Sequence, residues 1–250
     1  MKIQYIIPGP MHKTELGKKE MERRLKKLEE WAASGTKITI SAVDSGPKSI
    51  ESMYEEYLSI PGTAISVKKA EEEGYDAVII GCFGDPGLDG LREISNMLVV
   101  GPAGASMSMA ATLGHKFSVV TVTDSIVPAI EKLSWETGVY QKLGSVRAIN
   151  LPVIDVNKNH TKATEMLIQA GKKSIEEDRA EVLILGCMSM GFLDVAEYMM
   201  DELKVPVINP SKASLKFAEA LVSCRLVHSS KGYITPPKIQ EGASVEDLLI

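Results

Sequence analysis

Two cysteines in this sequence occupy matching places, and together they could move a proton. Cys82 and Cys187 each follow a glycine that closes a run of four apolar residues, Ala77–Ile80 and Val182–Leu185. A single cysteine after an apolar strand is usually a small buried hydrophobic residue, but two at matching positions favour a chemical role. One thiolate can take a proton from a carbon acid while a thiol returns one to the opposite face. The pattern therefore indicates racemase or epimerase chemistry by two coupled thiols.

A zinc site would need a ligand spacing that is missing here, whereas a catalytic Cys–His dyad remains an alternative. A structural zinc site uses four Cys or His ligands, commonly in C-x-x-C pairs, and no such spacing occurs. We therefore expect neither a metal nor a cofactor. Cys224 has no counterpart in the first half, and we expect it to be a structural residue. The histidines all lie in polar or junctional stretches, so the sequence nominates none as a base: His12, His115, His160 and His228.

Short apolar runs alternate with longer amphipathic stretches along the chain, which is typical of an α/β protein. The runs predict strands at Ile3–Ile7, Lys37–Val43, Ala77–Ile80, Leu98–Val100, Phe117–Val122, Arg147–Val153, Val182–Leu185 and Val205–Ile208. The helical spacing predicts helices over Met21–Ala32, Met53–Leu58, Ala64–Glu73, Ala163–Ala170, Phe192–Leu203 and Leu215–Val222. Alternation of this kind implies parallel sheets with right-handed crossovers, whose ligands lie beyond the carboxyl ends of the strands.

The order of elements repeats in the two halves. After each Gly-Cys comes a further strand, a proline and an Ala-Ser pair, Ala105-Ser106 and Ala213-Ser214. An internal duplication explains this most simply, although two convergent α/β lobes would also fit. We predict two pseudo-symmetric lobes, each a mainly parallel sheet flanked by helices, with the active site in the interlobe cleft. The first lobe would comprise residues 1–100 plus 210–250, and the second residues 101–209.

Composition excludes several classes of partner. The net charge is −5 and acidic and basic residues alternate, so we expect no nucleic acid or membrane partner. The first ten residues lack the apolar core of a secretory signal, and no apolar run approaches the ~20 residues that span a bilayer. We therefore expect a cytoplasmic protein with reduced thiols. Its partners would be a small-molecule substrate and further copies of itself in a homo-oligomer.

Several segments resemble one known family along nearly the whole chain. They are Gly46–Glu51, Ile60–Gly62, Gly81–Leu88, Phe117–Thr121, Val146–Ala148, Leu185–Cys187 with Met190, and Val205–Ile208. The most specific is the Cys-Phe-Gly-Asp-Pro-Gly stretch that begins at Cys82. On these segments the chain resembles the aspartate/glutamate/hydantoin racemase superfamily, and most closely its hydantoin racemase branch.

The resemblance implies a cofactor-independent enzyme in which Cys82 and Cys187 are the opposed catalytic bases. It also implies a set of substrate-binding residues, of which Phe83, Gly84, Met188 and Ser189 would act through their backbone N–H groups. The full set is Pro8, Gly9, Pro10, Ser49, Ile50, Phe83, Gly84, Thr121, Met188 and Ser189. Related racemases usually carry Asn-Pro-Asn where this chain has Pro8-Gly9-Pro10, so two amide side chains are missing. A ureido or carboxylate group would lose hydrogen bonds there.

We expect the substrate to be a carbon acid such as a 5-substituted hydantoin, because ring carbonyls spread the charge left by deprotonation. An allantoin racemase, an amino-acid racemase of the Asp/Glu type and a maleate isomerase-like enzyme are alternatives. Decarboxylases of this fold keep one cysteine, so the pair disfavours decarboxylation. From a different class, a two-lobe small-molecule binding protein without chemistry would have inert thiols. The segment 229–250 reads equally as an ordered tail, a lid or an oligomer contact.

Overall fold

Two four-stranded parallel sheets flanked by helices form the framework of the protein, in a computed structural model that describes residues 1–249. The predicted α/β class with two parallel sheets is confirmed. The strands, in chain order, are β1 (Lys2–Ile7), β2 (Lys37–Ala42), β3 (Ala77–Ile80), β4 (Leu98–Val100), β5 (Phe117–Thr121), β6 (Leu143–Ala148), β7 (Val182–Leu185) and β8 (Val207–Ile208).

Helices connect most consecutive strands and cover the sheets. They are α1 (Glu15–Trp31), α2 (Met53–Glu72), α3 (Leu88–Glu93), α4 (Pro102–Leu113), α5 (Val127–Glu136), α6 (Val153–Lys158), α7 (His160–Asp178), α8 (Met188–Gly191), α9 (Ala196–Leu203), α10 (Pro210–Ser223) and α11 (Pro237–Gln240). Short 3₁₀ turns lie at Met11–Lys13, Asp124–Ile126, Tyr140–Lys142 and Glu246–Leu249. None of the helices within residues 1–249 is both long and apolar enough to span a lipid bilayer.

The chain divides into two compact units. Unit 1 comprises Met1–Lys48, Tyr54–Gly101 and the chain from Ser214 onward. Unit 2 comprises Ser49–Met53 and Pro102–Ala213. The segment Ser49–Met53 thus belongs to a different unit from the residues on either side of it.

Both units build their sheet in the same order. Unit 1 has the order β2-β1-β3-β4 and unit 2 has β6-β5-β7-β8, with every neighbouring pair parallel. The registers also correspond, because Ile80 at the end of β3 faces Ile6 and Leu185 at the end of β7 faces Val120. All residues of β3 and β7 are buried. Their continuous apolar sequences are therefore those of inner strands covered on both faces.

The sequence-based prediction of two helices between Met53 and Glu73 is wrong, because α2 runs unbroken through Pro61. A proline inside a helix removes one N–H donor and costs about 3 kcal/mol. Burial offsets this cost, since Ala64, Val67 and Ala70 of α2 lie in the core of unit 1 with Val78 and Ile80. Side-chain bonds within the helix accompany this burial, for example from Thr63 Oγ1 to Ser59 O at 2.7 Å.

The position predicted for the sixth strand is also wrong, since β6 spans Leu143–Ala148 and not Arg147–Val153. The misleading signal came from Ile149 and Leu151, which are buried residues of the following loop. That loop still bonds to the neighbouring strand, with Ile149 N–H donating to Thr121 O at 2.9 Å. Asn150 between them has a φ of +53°, which breaks the extended conformation.

Residues between His228 and Val245 pack against the rest of unit 1. Val245 is 7% exposed and lies in the same hydrophobic core as Val78 and Val99. Polar contacts hold the preceding stretch, where Arg92 Nη1 donates to Tyr233 Oη at 2.9 Å. A ring nitrogen of His228 lies 2.8 Å from the carbonyl oxygen of Ser95.

A partly exposed ion pair joins the edge strand β6 to the end of α7. Arg147 donates through Nε to Asp178 Oδ2 at 2.6 Å and through Nη2 to Oδ1 at 2.9 Å. Ser145 Oγ donates to the same carboxylate at 2.6 Å. The hydrogen bonds from Arg147 are the largest influence on Asp178 and, outweighing burial, hold the pKa of its carboxyl below the ordinary 3.8.

Asp178→Asn is expected to lower the free energy of unfolding near neutral pH by about 1–2 kcal/mol. Because the folded-state pKa of Asp178 is lowered, its stabilisation is complete above the unfolded-state pKa and is lost as pH falls through the folded-state value. The gap between wild type and variant, measured by urea unfolding, should therefore narrow below about pH 4. Glu136→Gln is the control, since its pair with Lys132 is largely exposed. A gap that stays constant to the lowest pH would contradict the pairing.

Candidate active site

Gly81 and Cys82 leave the carboxyl end of the central strand β3. Gly81 N–H donates to Ile6 O of the neighbouring strand at 2.7 Å, and Cys82 N–H donates to Ile80 O at 2.9 Å. A Cβ at Gly81 would lie 2.7 Å from Ile6 O and 2.8 Å from Tyr5 Cε1. Glycine is therefore required here because the chain passes directly against β1. The half-buried Cys82 thiol sits at the strand end where ligands of parallel sheets bind.

The turn after Cys82 exposes backbone donors before helix α3 begins. Asp85 N–H donates to Cys82 O at 3.3 Å, and Asp85 has a left-handed φ of +47°. The N–H groups of Phe83 and Gly84 make no hydrogen bond within residues 1–249. These two groups, which the resemblance nominates as substrate donors, are thus available beside the thiol.

Helix α2 places a carboxylate against this turn. A Cβ at Gly84 would collide with the carboxyl group of Glu56. Ile60, one turn later on α2, packs against Gly87 in the same way, where a Cβ would lie 2.8 Å from Ile60 Cγ2. The two glycines of the motif therefore allow α2 to lie directly on the turn. The sequence analysis missed Glu56, because only the fold brings α2 to this place.

The loops after β1 and β2 meet at the same edge of the first sheet. A Cβ at Gly9 would lie 2.5 Å from Pro47 O, and one at Gly46 would lie 3.1 Å from Pro8 O. Pro8 is buried, whereas Gly9 and Pro10 are partly exposed. The glycine in Pro8-Gly9-Pro10 is thus required by the close approach of the two loops.

The second cysteine has an equivalent framework in unit 2. Gly186 N–H donates to Val120 O at 2.7 Å, as Gly81 does to Ile6 O in unit 1. A Cβ at Gly186 would lie 2.6 Å from Val119 Cγ1 and 3.0 Å from Thr121 Cβ. Thr121 is fully buried, and its hydroxyl donates to Gly186 O at 3.0 Å. Thr121 therefore supports the glycine that precedes Cys187.

The chain turns into helix α8 directly after Cys187. Cys187 is the residue before the first helical position, and Gly191 N–H donates to Cys187 O at 3.3 Å. Met188 N–H makes no hydrogen bond to any other residue that the structure describes, and Ser189 is the next residue of the helix. Amide groups at a helix start attract negative charge. The half-buried Cys187 thiol lies at the N-terminal end of α8.

Asn209 and Ser211 support α8, and the sequence analysis missed both. Asn209 Nδ2 donates to Gly191 O at 2.7 Å, while its Oδ1 accepts from Ser211 N–H at 3.0 Å. Ser211 Oγ donates to Met188 O at 3.4 Å. The Asn209-Pro210 pair is a recognisable helix start, with an N-cap residue followed by proline at the first helical position. That signal predicts the cap of α10 but not its contact with the cysteine turn.

Ser49 and Ile50 belong to unit 2 with Thr121, Cys187, Met188 and Ser189, whereas the other nominated residues belong to unit 1. The unit 1 set is Pro8, Gly9, Pro10, Cys82, Phe83 and Gly84. Most of these residues lie on segments that follow the carboxyl ends of strands. Thr121 is the last residue of β5, and Ser49 and Ile50 lie on the segment before α2.

Cys224 and His160 lie outside the two cysteine turns described above. Cys224 is exposed and lies immediately after α10. His160 bonds to Leu193 O at 2.7 Å and supports the loop between α8 and α9. Nowhere in the described part of the chain do three or more His, Cys, Asp or Glu side chains cluster as metal ligands would.

The chain is similar along most of its length to known racemases. A model of the family described as Asp/Glu/Hydantoin racemase matches residues 19–218. The hydantoin racemase of Pseudomonas sp. (strain NS671) is 41% identical over 217 residues, which is 86% of each chain. The hydantoin racemase of Paenarthrobacter aurescens is 36% identical over 192 residues, 76% of this chain and 80% of that protein.

A solved structure gives the same result in three dimensions. The allantoin racemase from Klebsiella pneumoniae superposes with a TM-score of 0.85 at 30% sequence identity, covering 94% of this chain and 94% of that one. The resemblance stated from the motifs is thereby confirmed. The last residues, from 219 onward, lie outside the family match and include those between His228 and Val245 that pack against the rest of unit 1.

Proposed function

The chain belongs to the Asp/Glu/hydantoin racemase family and is a racemase, and we propose that it racemises 5-substituted hydantoins with Cys82 and Cys187 as its two bases. The observation that carries the mechanism is the repeated Gly-Cys at the carboxyl end of the third strand in each sheet order. The substrate class follows the hydantoin racemase of Pseudomonas sp. (strain NS671), which is similar over 86% of the chain.

The proposed reaction is a 1,1-proton transfer in which atoms and charge balance. One cysteine, as thiolate, takes the hydrogen from C5 as a proton and becomes a thiol. The electron pair left on carbon delocalises into the adjacent carbonyl of the ring. The other cysteine, as thiol, delivers its proton to the opposite face and becomes a thiolate, and the reverse reaction exchanges the roles. No electron acceptor or cofactor enters this balance.

Backbone amides supply the electrostatic part of the mechanism. Ordinary thiols titrate near pH ~8.5, so neighbouring N–H groups that favour a thiolate are needed near neutral pH. Phe83 and Gly84 beside Cys82, and Met188 and Ser189 beside Cys187, provide such groups. The same donors would stabilise negative charge as it develops on a ring oxygen.

The side chains of the loop Pro8-Gly9-Pro10 indicate which kind of substituent at C5 is preferred. It carries no hydrogen-bonding side chain, and Gly9 has no room for one because of Pro47 O. We therefore propose that apolar 5-substituents are preferred. Allantoin is the second candidate substrate, because an allantoin racemase covers 94% of the chain in structure. The ureido group of allantoin would find no hydrogen-bonding side chain at this loop, whereas an isopropyl or benzyl group needs none.

An isotope-exchange assay tests the proposal. Enantiopure 5-isopropyl- and 5-benzylhydantoin, allantoin, aspartate and glutamate are each incubated in D₂O with enzyme dialysed against EDTA. We expect loss of optical rotation together with deuterium at C5 for the alkyl and aryl hydantoins, faster than for allantoin, and no change with the amino acids. Exchange no faster than the spontaneous rate across the hydantoins would refute the substrate class.

A further inference from the structure

Glu51 links the segment Ser49–Met53 to the rest of the second unit through two hydrogen bonds. Its side-chain Oε1 accepts a hydrogen bond from the N–H of Val153 at 2.8 Å. Its backbone carbonyl oxygen accepts a hydrogen bond from Ser125 Oγ at 2.5 Å. The bonds link Glu51 to residues 102 and 74 positions later in the chain, so neither could be read from local sequence.

Both partners of Glu51 lie beyond the carboxyl ends of strands in the second sheet. Ser125 follows β5, and Val153, the first residue of α6, follows β6. Cys187 follows β7, the strand that pairs with β5 on its other side. The carboxyl ends of parallel strands share one edge of a sheet. Glu51 therefore fixes the segment to the edge that also carries Cys187.

The two loops that Glu51 contacts are also hydrogen-bonded to each other. Asp124 N–H donates to Asn150 Oδ1 at 3.2 Å, and Asn150 Nδ2 donates back to Asp124 Oδ2 at 3.0 Å. The hydroxyls of Thr123 and Ser125 are 2.9 Å apart and share a hydrogen bond. The loops after β5 and β6 are thus joined to each other, and a residue bonded to both takes a defined position.

We propose that Glu51 is a positioning residue that sets substrate affinity by holding Ser49 and Ile50 in place at the Cys187 edge of the second sheet. The inference rests on the proposed function together with the substrate-binding role that the family resemblance implies for Ser49 and Ile50. Glu51 itself does not contact the reacting carbon. What its carboxylate contributes is a hydrogen-bond acceptor at a fixed distance from Val153 N–H.

A conservative variant separates this role from a general loss of charge. Glu51→Gln keeps an oxygen that accepts from Val153 N–H, whereas Glu51→Ala removes it. For Glu51→Ala we expect KM for 5-benzylhydantoin to rise about 10-fold or more, with kcat changed less than about threefold. Glu51→Gln should stay within about threefold of wild type in both. Glu72→Ala, at an exposed position at the end of α2, is the matched control.

Hydrogen–deuterium exchange of the peptide around residues 46–54 provides a readout that needs no turnover. Exchange should be faster in Glu51→Ala and unchanged in Glu51→Gln and Glu72→Ala. Faster exchange with an unaltered KM, or unaltered exchange in Glu51→Ala, would each overturn the inference. So would a fall in kcat with KM unchanged. If wild type racemises no hydantoin, the proposed function fails separately, and titration calorimetry with the same hydantoin then measures affinity in place of KM.

Discussion

Cys82→Ser and Cys187→Ser are each expected to reduce hydantoin racemisation by at least about 10²–10⁴-fold, the usual contribution of a positioned acid or base. Serine is close to cysteine in size but is a far weaker acid, so it can neither hold a resting anion nor return a proton readily. Both residues are half-buried thiols outside any disulfide. The loss should appear in kcat/KM measured by polarimetry, with unfolding transitions close to that of wild type.

The two variants should also differ in which enantiomer of the substrate exchanges its C5 hydrogen. Each retains one thiol, and that thiol can still remove the C5 hydrogen that faces it. In D₂O each variant should therefore incorporate deuterium into one enantiomer without racemising it, and the two should choose opposite enantiomers. Cys224→Ser is the control, because this thiol is exposed and outside the site, and it should behave as wild type. Racemisation that survives either catalytic substitution, or the same enantiomer chosen by both, would refute the two-base assignment.

Gly81→Ala and Gly186→Ala are expected to destabilise the protein by about 1–3 kcal/mol each, the range for forced overpacking. The added methyl of the first would lie 2.7 Å from Ile6 O, a backbone atom of a buried strand that cannot turn aside. That of the second would lie 2.6 Å from Val119 Cγ1. Either strand pair must separate locally to accommodate it.

Activity should fall further than stability in these glycine variants, because each glycine directly precedes a cysteine that we propose as a catalytic base. A misplacement of about 1 Å can cost about 100-fold in rate. Gly90→Ala is the matched control, since Gly90 lies within α3 with no atom within 4 Å of an added Cβ. It should retain activity and gain about 0.5–1 kcal/mol from helix propensity. Thermal unfolding measures the stability of each variant and kcat/KM its activity. If Gly81→Ala behaves like Gly90→Ala in both, the close approach of the strands is unimportant.

Cys82 and Cys187 lie at equivalent strand ends of the two sheets. Both cysteines take their position from a glycine that bonds to the neighbouring strand at the same distance, 2.7 Å. Beyond the cysteines the units diverge, because Cys187 leads directly into α8 while Cys82 leads into a turn with Asp85 in a left-handed conformation. The two thiols therefore have different surroundings.

The amino-acid sequence alone determined the fold class, the central strands and the position of the two cysteines at the ends of those strands. Continuous apolar runs such as Ala77–Ile80 and Val182–Leu185 are buried on both faces in any parallel sheet, so composition and period suffice to identify them. A cysteine that follows such a run must lie at the carboxyl end of the strand. The motif beginning at Cys82 then identified the family.

The tertiary structure alone decided the features that depend on contacts between distant residues. Helix α2 continues through Pro61 because its other residues are buried in the core of unit 1, which outweighs the local preference for a break. The contact of Glu56 with Gly84, and the bonds from Val153 and Ser125 to Glu51, join residues that no periodicity connects. Local patterns report how one segment is covered, whereas partners across the fold are chosen by packing of the whole chain. The surroundings of the cysteines were therefore visible only once the strands were assembled.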